Sequence, residues 1–436
     1  MGLKTKTIEE LTEALIDYRG KTPRKTSSGV KLITAKVIKD GFVIDGNHEY
    51  IDEKEYDSWM QRGLPQQWDI LITTEAPLGE VAQLRTPERV ALAQRVILLR
   101  GNPKLIDQGY LFQALKSPFV QAGLKARSSG TTVLGIKQSE LRKVEIPYRS
   151  LSSQQKIGSI LSSYHDLIGN NTQRIRILEE MAQLIYREWF VHFRFPSHEK
   201  VRMVTSSFGK IPEGWAMKSL EELMEDHIGG GWGNDSVDTK HTEPAWVIRG
   251  TDIPGARYCQ VTNVPHRYHA ISNLSSRKLQ AGDILFEVSG GSKDQPVGRA
   301  LLITPQLLSV FGSAAVICAS FCKRVRPNIN KYDSELLYLS FLEGYKSGEI
   351  EQFQVQSTGI SNFKWTEYIQ KTKRVIPPDL IRMRFRTIVN PILSQIATLG
   401  LQSANLRRTR DLLLPKLISG ELDVSELDIE VPAEAK

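Results

Sequence analysis

The chain has 436 residues, more than one ordinary core accommodates, and domain-size scaling divides it into roughly two to four units. A hydrophobic fraction of 40% and a charged fraction of 24% exclude an extended disordered chain. The formal charge of +8 favours a polyanionic partner, because Lys and Arg beside phosphates release condensed counterions, yet no basic tail concentrates it.

Taken in chain order, the elements come twice. A first module carries the Tyr18-Arg19-Gly20-Lys21-Thr22-Pro23 turn, a strand at Trp68-Asp69-Ile70-Leu71-Ile72, Gly79 with Thr86-Pro87 after it, and an apolar run from Val96 to Leu99. Ser129-Gly130 then precedes a predicted apolar strand, and Ile146-Pro147 closes the module, because proline biases its predecessor out of the helical region. A long helix is predicted from about Gln154 to Trp189, with Leu161, Tyr164, Ile168, Asn171, Ile175, Leu178, Ala182, Ile185 and Trp189 at alternating spacings of three and four.

The plan then repeats. Gly282-Asp283-Ile284-Leu285-Phe286 matches the Trp68 strand, Gly298 with Thr304-Pro305 matches Gly79 with Thr86-Pro87, Thr358-Gly359 matches Ser129-Gly130, and Ile376-Pro377 matches Ile146-Pro147. The offsets of 214, 219, 229 and 230 residues grow slowly, as small loop insertions produce. A second helical seam runs through Ile392, Ile396, Leu399, Ser403, Leu406, Arg410, Leu413 and Leu417. The densest basic stretches, Arg382-Met383-Arg384-Phe385-Arg386 and Arg407-Arg408-Thr409-Arg410, lie in this helix and read as solvated faces.

The uncharged segment from Leu301 to Cys322 approaches a membrane span in length, but its first-copy match carries Arg85, Glu88, Arg89 and Arg95. Both read as buried strands of a mixed α/β module, with the Val96 to Leu99 and Ala314 to Ile317 runs in the core. Two seams at equivalent places predict that the helices pair antiparallel, Asn171, Ser403 and Arg410 setting register at some cost in stability. A helix of this length would span roughly 50 Å at 1.5 Å per residue, enough to hold two readers on a duplex that repeats about every 34 Å.

DNA readout calls for Arg, Lys, Asn and Gln at base edges, with Ser, Thr and backbone amides on phosphates. The first-copy candidates are Lys21, Arg24, Lys25, Lys36, Thr73, Thr74, Arg127, Ser128, Ser129, Thr131 and Thr132. Those of the second copy are Trp232, Asn234, Arg249, Thr251, Ser289, Lys293, Ser357, Thr358, Asn362 and Lys364. For any one of them, an ordinary surface residue is the competing reading.

Several stretches resemble a known family. Leu151-Ser152-Ser153-Gln154-Gln155-Lys156-Ile157-Gly158, Glu179-Glu180-Met181-Ala182-Gln183 and Trp189-Phe190-Val191 resemble the central conserved region of type I restriction-modification specificity subunits. Leu413-Leu414-Pro415-Lys416-Leu417-Ile418-Ser419-Gly420-Glu421-Leu422 resembles their distal conserved region. Gly209-Lys210-Ile211-Pro212-Glu213-Gly214-Trp215 looks like the opening of their second target-recognition domain, and the Tyr18 to Pro23 turn looks like an early feature of the first.

The resemblance implies an α/β fold of two mixed α/β target-recognition domains in a pseudo-twofold arrangement, joined by two long antiparallel coiled-coil helices. The implied boundaries are 1–147 and 209–377 for the recognition domains, 148–195 and 378–425 for the helical regions, 196–208 for a linker and 426–436 for a tail. It also implies a noncatalytic subunit whose domains each read half of a bipartite asymmetric site in double-stranded DNA. The helices would set the spacer and dock two adenine methyltransferase subunits that bind S-adenosylmethionine. Endonuclease-translocase subunits using ATP and magnesium would complete the restriction enzyme, with no cofactor held by this chain.

The residues also speak to catalysis. No Asn-Pro-Pro-Tyr signature of an amino-methyltransferase occurs, and Gly229-Gly230-Gly231-Trp232-Gly233 lacks the Gly-Lys-Ser/Thr ending of a phosphate loop, so a flexible turn is the reading. Asp283 and Glu287 near Lys293 loosely resemble nuclease carboxylates, without a matching set beside Asp69 and Glu75. Cys259, His266, His269, Cys318 and Cys322 lack zinc-finger spacing, which favours buried thiols and no metal. Three cysteines form no secreted disulfide framework and Met1-Gly2-Leu3-Lys4 lacks a signal-peptide core, so a cytoplasmic protein outside the membrane is expected. Two alternatives remain open: a coiled-coil interaction scaffold without DNA readout, and a self-contained metal-dependent nuclease.

Overall fold

The computed structural model describes residues 4–431 apart from 19, 21, 45, 47–48, 86–87, 207–208, 292–294 and 358–359, and describes only the backbone of 356, 357 and 360. The chain divides into two compact units, Met1–Gly169 with Leu406–Lys436, and Asn170–Asn405. Each holds one mixed α/β domain and a portion of both long helices.

The first domain begins with strand Thr5–Thr7, which runs straight into a one-turn helix, Ile8–Leu11. Thr7 caps that helix and Glu10 reaches back to the Thr7 amide at 2.7 Å, so two otherwise orphan donors are satisfied reciprocally. The chain then enters an antiparallel sheet of order Thr12–Asp17, Val96–Gly101, Ile70–Thr74, Leu78–Gln83. Val96–Leu99 is central to it and wholly buried, as its unbroken apolar run requires. A second sheet has the order Val90–Leu92, Val30–Ile33, Glu49–Ile51, Lys25–Thr26, its first pair parallel and the rest antiparallel.

The second domain repeats this topology. Ser219 and Glu222 form the same capping box over Leu220–Leu223. The antiparallel sheet runs Met224–Gly229, Cys322–Pro327, Ile284–Glu287, Ala300–Leu302. The other sheet sets Ala315–Cys318 parallel to Glu243–Ile248, followed by antiparallel His266–His269. Where the first domain has Lys25–Thr26, the second has only the Asn234 bridge to Tyr268.

One buried ion pair is duplicated to the atom. Arg100 Nε and Nη2 donate to Asp69 at 2.8 and 2.6 Å, and Arg326 Nε and Nη2 donate to Asp283 at 2.7 and 2.8 Å. Each carboxylate also accepts a backbone amide three residues upstream, from Gln66 or Gln280. Trp68 and Gly282, which precede the two aspartates, share a left-handed backbone with φ of 72° and 92°.

The first long helix spans Leu151–Tyr186 and ends in a π-turn at Arg187–Val191; the second spans Asp379–Ser419. Of the pairing positions, Leu161, Ile168, Asn171, Ile175, Ile396, Leu399 and Leu417 are buried, and Leu178, Ile185, Leu406 and Leu413 are half-buried. In the first unit Ile157 and Leu161 share a core with Leu414, Leu417 and Ile418. In the second unit Ile175 packs on Ile396 and Leu399, while Trp189 and Phe190 meet Phe385. Rising numbers on one helix meet falling numbers on the other, so the second-unit pairing is antiparallel. The second helix runs through Pro391 and Pro415, whose rings sit at exposed positions.

Four expectations change. Val133 and Leu134 are not a buried strand: they are 48% and 45% exposed at a loop tip, because Ser129 and Gly135 pair with each other and close the loop beneath them. The Leu301 to Cys322 segment is not all strand, since Thr304 caps a helix at Pro305–Val310 between two strands. The two apolar runs occupy different sheets, so Ala315–Cys318 matches Val90–Leu92 and the counterpart of Val96–Gly101 is Cys322–Pro327. The closing strands pair Thr7 with Glu145 and Ser219 with Lys373, which places Ile376-Pro377 two residues beyond the register of Ile146-Pro147. In addition, Met203–Ser206 of the expected linker forms a hairpin with Gly209–Pro212.

Candidate nucleic-acid interface

In the first domain two predicted segments, 127–132 and the end of Ile70–Thr74, converge at one end of the antiparallel sheet. The backbone of Ser129 exchanges hydrogen bonds with Gly135 at 2.9 Å, and Gly135 also bridges Glu75, so the 129–135 loop stands beside the turn after Ile70–Thr74. Thr131 and Thr132 are exposed with Val133 and Leu134 at its tip. Arg127, at the end of helix Pro118–Ala126, lies 3.4 Å from Glu140, and Ser128 Oγ donates to the Lys125 carbonyl at 2.7 Å.

Thr73 and Thr74 are a correction. Both are buried in the sheet, and Thr73 Oγ1 accepts the Glu80 amide at 2.9 Å, so neither hydroxyl can meet DNA. The outward-facing side chain at that strand end is Glu75, in reach of Arg95 at 3.8 Å. On the other sheet Arg24 and Lys25 are exposed, Lys25 paired with Glu49 at 2.8 Å. Lys36 is exposed on the 3-10 turn Ala35–Val37. Lys21 lies outside the described residues.

The second domain gathers its candidates on the corresponding elements. Thr251 is exposed on the 3-10 turn Gly250–Asp252, the counterpart of the Lys36 turn. Ser289 Oγ donates to Asn362 Oδ1 at 2.8 Å, so two segments 73 residues apart form one polar surface, with exposed Lys364 two residues on. Ser357 is described only as backbone paired with Ile360, and Lys293 and Thr358 lie outside the described residues.

Arg249 is partly engaged: its Nε and Nη2 donate to Asp252 at 2.8 Å, and Nη2 also donates to the Asn263 carbonyl at 2.8 Å. Asn234 Nδ2 donates to Asp238 at 2.6 Å and lies 3.0 Å from His241 Nδ1. The His241 side chain and the Lys240 and His241 amides hold the Asp238 carboxyl well below the usual carboxylate range. Trp232 is half-exposed over Arg267, whose guanidinium sits 4.5 Å from the ring centroid.

Sequence reasoning missed Arg267, Asp238 and His241 at this surface, and Val133 with Leu134 in the first domain. An apolar pair reads as strand interior, and only the Ser129–Gly135 closure turns it outward.

The residues singled out for other chemistry are accounted for by structure. Asp283 is bound to Arg326, and Glu287 is bound bidentately to Arg299. The Cys259, Cys318 and Cys322 thiols are buried, and burial pushes the first two up to about 11 and about 12. Among the described residues no helix is long and apolar enough to cross a membrane. Within the Gly229 to Gly233 run, Gly230 and Gly233 are packed closely against the Cys318 and Tyr268 carbonyls, while Gly229 faces open space.

A family model described as a type I restriction modification DNA specificity domain matches residues 2–180. The type I restriction enzyme MjaIX specificity subunit of Methanocaldococcus jannaschii is 28% identical over 82% of this chain and 78% of its own length. The HindI specificity subunit of Haemophilus influenzae is 22% identical over 77% of this chain and 82% of its own. A crystal structure of the type I S subunit from M. genitalium shares the fold with a TM-score of 0.54 over 95% of both chains, at 13% identity. The chain thus resembles type I restriction-modification specificity subunits in sequence and in fold. The matched span takes in the whole first domain and most of the first long helix. The internal repeat extends the same topology to the second domain.

Proposed function

We propose that this chain is a type I specificity subunit, a noncatalytic reader of a bipartite, asymmetric DNA site, each domain contacting one half. The observation that carries the reading is a duplicated scaffold bearing unlike loops. The capping boxes, sheet orders and Asp–Arg pairs coincide, while Arg24 and Lys25 of one copy have Trp232 and Asn234 as their counterparts in the other. Equal scaffolds present the loops alike, and unequal loops read different bases.

The long helices set the spacer and dock two adenine methyltransferase subunits, which bring S-adenosylmethionine. Supporting this, Ile177, Met181, Leu184 and Val191 form an exposed apolar stripe on the first helix, away from its buried seam. Restriction subunits working with ATP and magnesium join the same assembly, in the cytoplasm.

Exchange of residues 1–145 for the equivalent module of a relative tests the reading by methylome sequencing. One half of the methylated site is expected to change and the other to persist. A change in both halves, or in neither, would sink it.

A further inference from the structure

The Gly-rich run before Trp232 serves a single side chain. A Cβ on Gly230 would stand 2.1 Å from the Cys318 carbonyl oxygen, and one on Gly233, at φ of 70°, would stand 2.4 Å from the Tyr268 carbonyl oxygen. The loop is thus pressed onto both neighbouring strands on either side of Trp232. Beneath the indole, Arg267 lies 4.5 Å from the ring centroid, and it is itself tied to Asp235 and to the Gly233 carbonyl. The backbone on both sides of Trp232 is therefore fixed, and its ring, 41% exposed, rests with one face on Arg267.

Holding a large apolar ring toward solvent costs hydrophobic free energy, and the immobilisation removes the entropic penalty of ordering it later. A flat, pre-ordered π surface beside polar groups suits a ligand that is also flat and aromatic. Polar groups do adjoin it: Asn234, Asp238 and His241 form a connected network from two residues downstream. Bases in an intact duplex hide their faces, so the ring gains such a contact only where a base step is opened or a base is displaced.

We propose that Trp232 is a stacking wedge: it packs on a nucleobase exposed by local opening of the half-site that the second domain reads. The inference rests on the domains being DNA readers. Among the described residues the first domain shows no counterpart, since Lys25–Thr26 occupies the equivalent sheet edge as a paired strand. The distortion belongs to one half-site alone.

The test uses the specificity subunit assembled with its methyltransferase partners and duplexes carrying 2-aminopurine at successive positions of both half-sites, the methylated adenines excepted. On binding, fluorescence is expected to rise several-fold at one step of the second half-site and to stay flat in the first. W232A should abolish the rise and weaken binding about 10-fold. W232F should retain most of both, and its thermal unfolding checks that the loop is intact. An unchanged rise in W232A, or no rise in the second half-site with tight binding by the native complex, overturns the wedge. Absence of any site-specific binding by the native complex overturns the DNA reading and the wedge with it.

Discussion

At the residue scale, two buried groups in the first unit make its stability depend on pH. His165 is fully buried and stacks on Phe42 with ring centroids 4.0 Å apart. Burial, reinforced by the positive charges of Lys116, Arg85 and Arg410, pushes its pKa down from 6.5 to about 2. The folded state keeps it neutral, so its stability is complete above pH 6.5 and is lost as the pH falls below that value. Linkage puts the loss at about 2 kcal/mol between pH 7 and pH 5. His165→Phe keeps the stack and removes the titration, and its melting temperature should fall less than the native one over that interval. Lys116 Nζ is buried without a hydrogen-bond partner among the described residues, and burial moves its pKa down to about 7. As the pH falls from 10.5 toward 7 the unfolded state binds this proton first and stability drops. Lys116→Met should therefore raise stability at pH 7 by on the order of 1 kcal/mol and flatten the alkaline profile in thermal denaturation.

At the element scale, the scaffold and the surface respond differently. Asp69 is almost wholly buried and holds Arg100 through two hydrogen bonds, so Asp69→Ala strands a cation and should cost about 3–5 kcal/mol. Glu88 meets Lys31 at 3.0 Å on an exposed face, and Glu88→Ala should cost less than about 1 kcal/mol. Urea melts of the two variants separate these outcomes, and similar losses would contradict the assignment. Leu161→Ala opens the core shared with Leu414 and Leu417 and should cost about 2–5 kcal/mol. Leu184→Ala removes only exposed surface, so its melt should match the native one while capture of methyltransferase subunits weakens.

The seams of both helices were legible because a period of three and four marks a buried stripe whatever covers it. The second helix, expected within 378–425, spans Asp379–Ser419. Proline rules alone would break it at Pro391 or Pro415, yet packing of Ile396, Leu399, Leu414 and Leu417 outweighs a lost hydrogen bond at two solvent-facing positions.

At the scale of the whole molecule, DNA affinity should be divided between cations and loops. Arg24 and Lys36 are exposed and carry no ion pair among the described residues. Lys36→Gln in the assembled methyltransferase should weaken binding to all sequences alike and lower the salt slope by about 1. A changed methylation motif would instead make Lys36 a base reader.

Sequence by itself determined the duplication, the mixed α/β modules, the paired helices and the resemblance to type I specificity subunits, because apolar period and recurring motifs survive without knowledge of what they touch. It did not determine which members of the candidate segments are free, for a physical reason. Exposure and hydrogen-bond commitment belong to a residue's neighbours: a sheet seals Thr73 and Thr74, Asp252 engages one side of the Arg249 guanidinium, and the Ser129–Gly135 closure lifts Val133 and Leu134 into solvent. Trp232 read as a candidate DNA contact in a flexible turn, and only the carbonyls against Gly230 and Gly233 and the guanidinium of Arg267 show its loop to be fixed. Chain pattern decides which elements form; the contacts between distant elements decide which side chains are left free to bind.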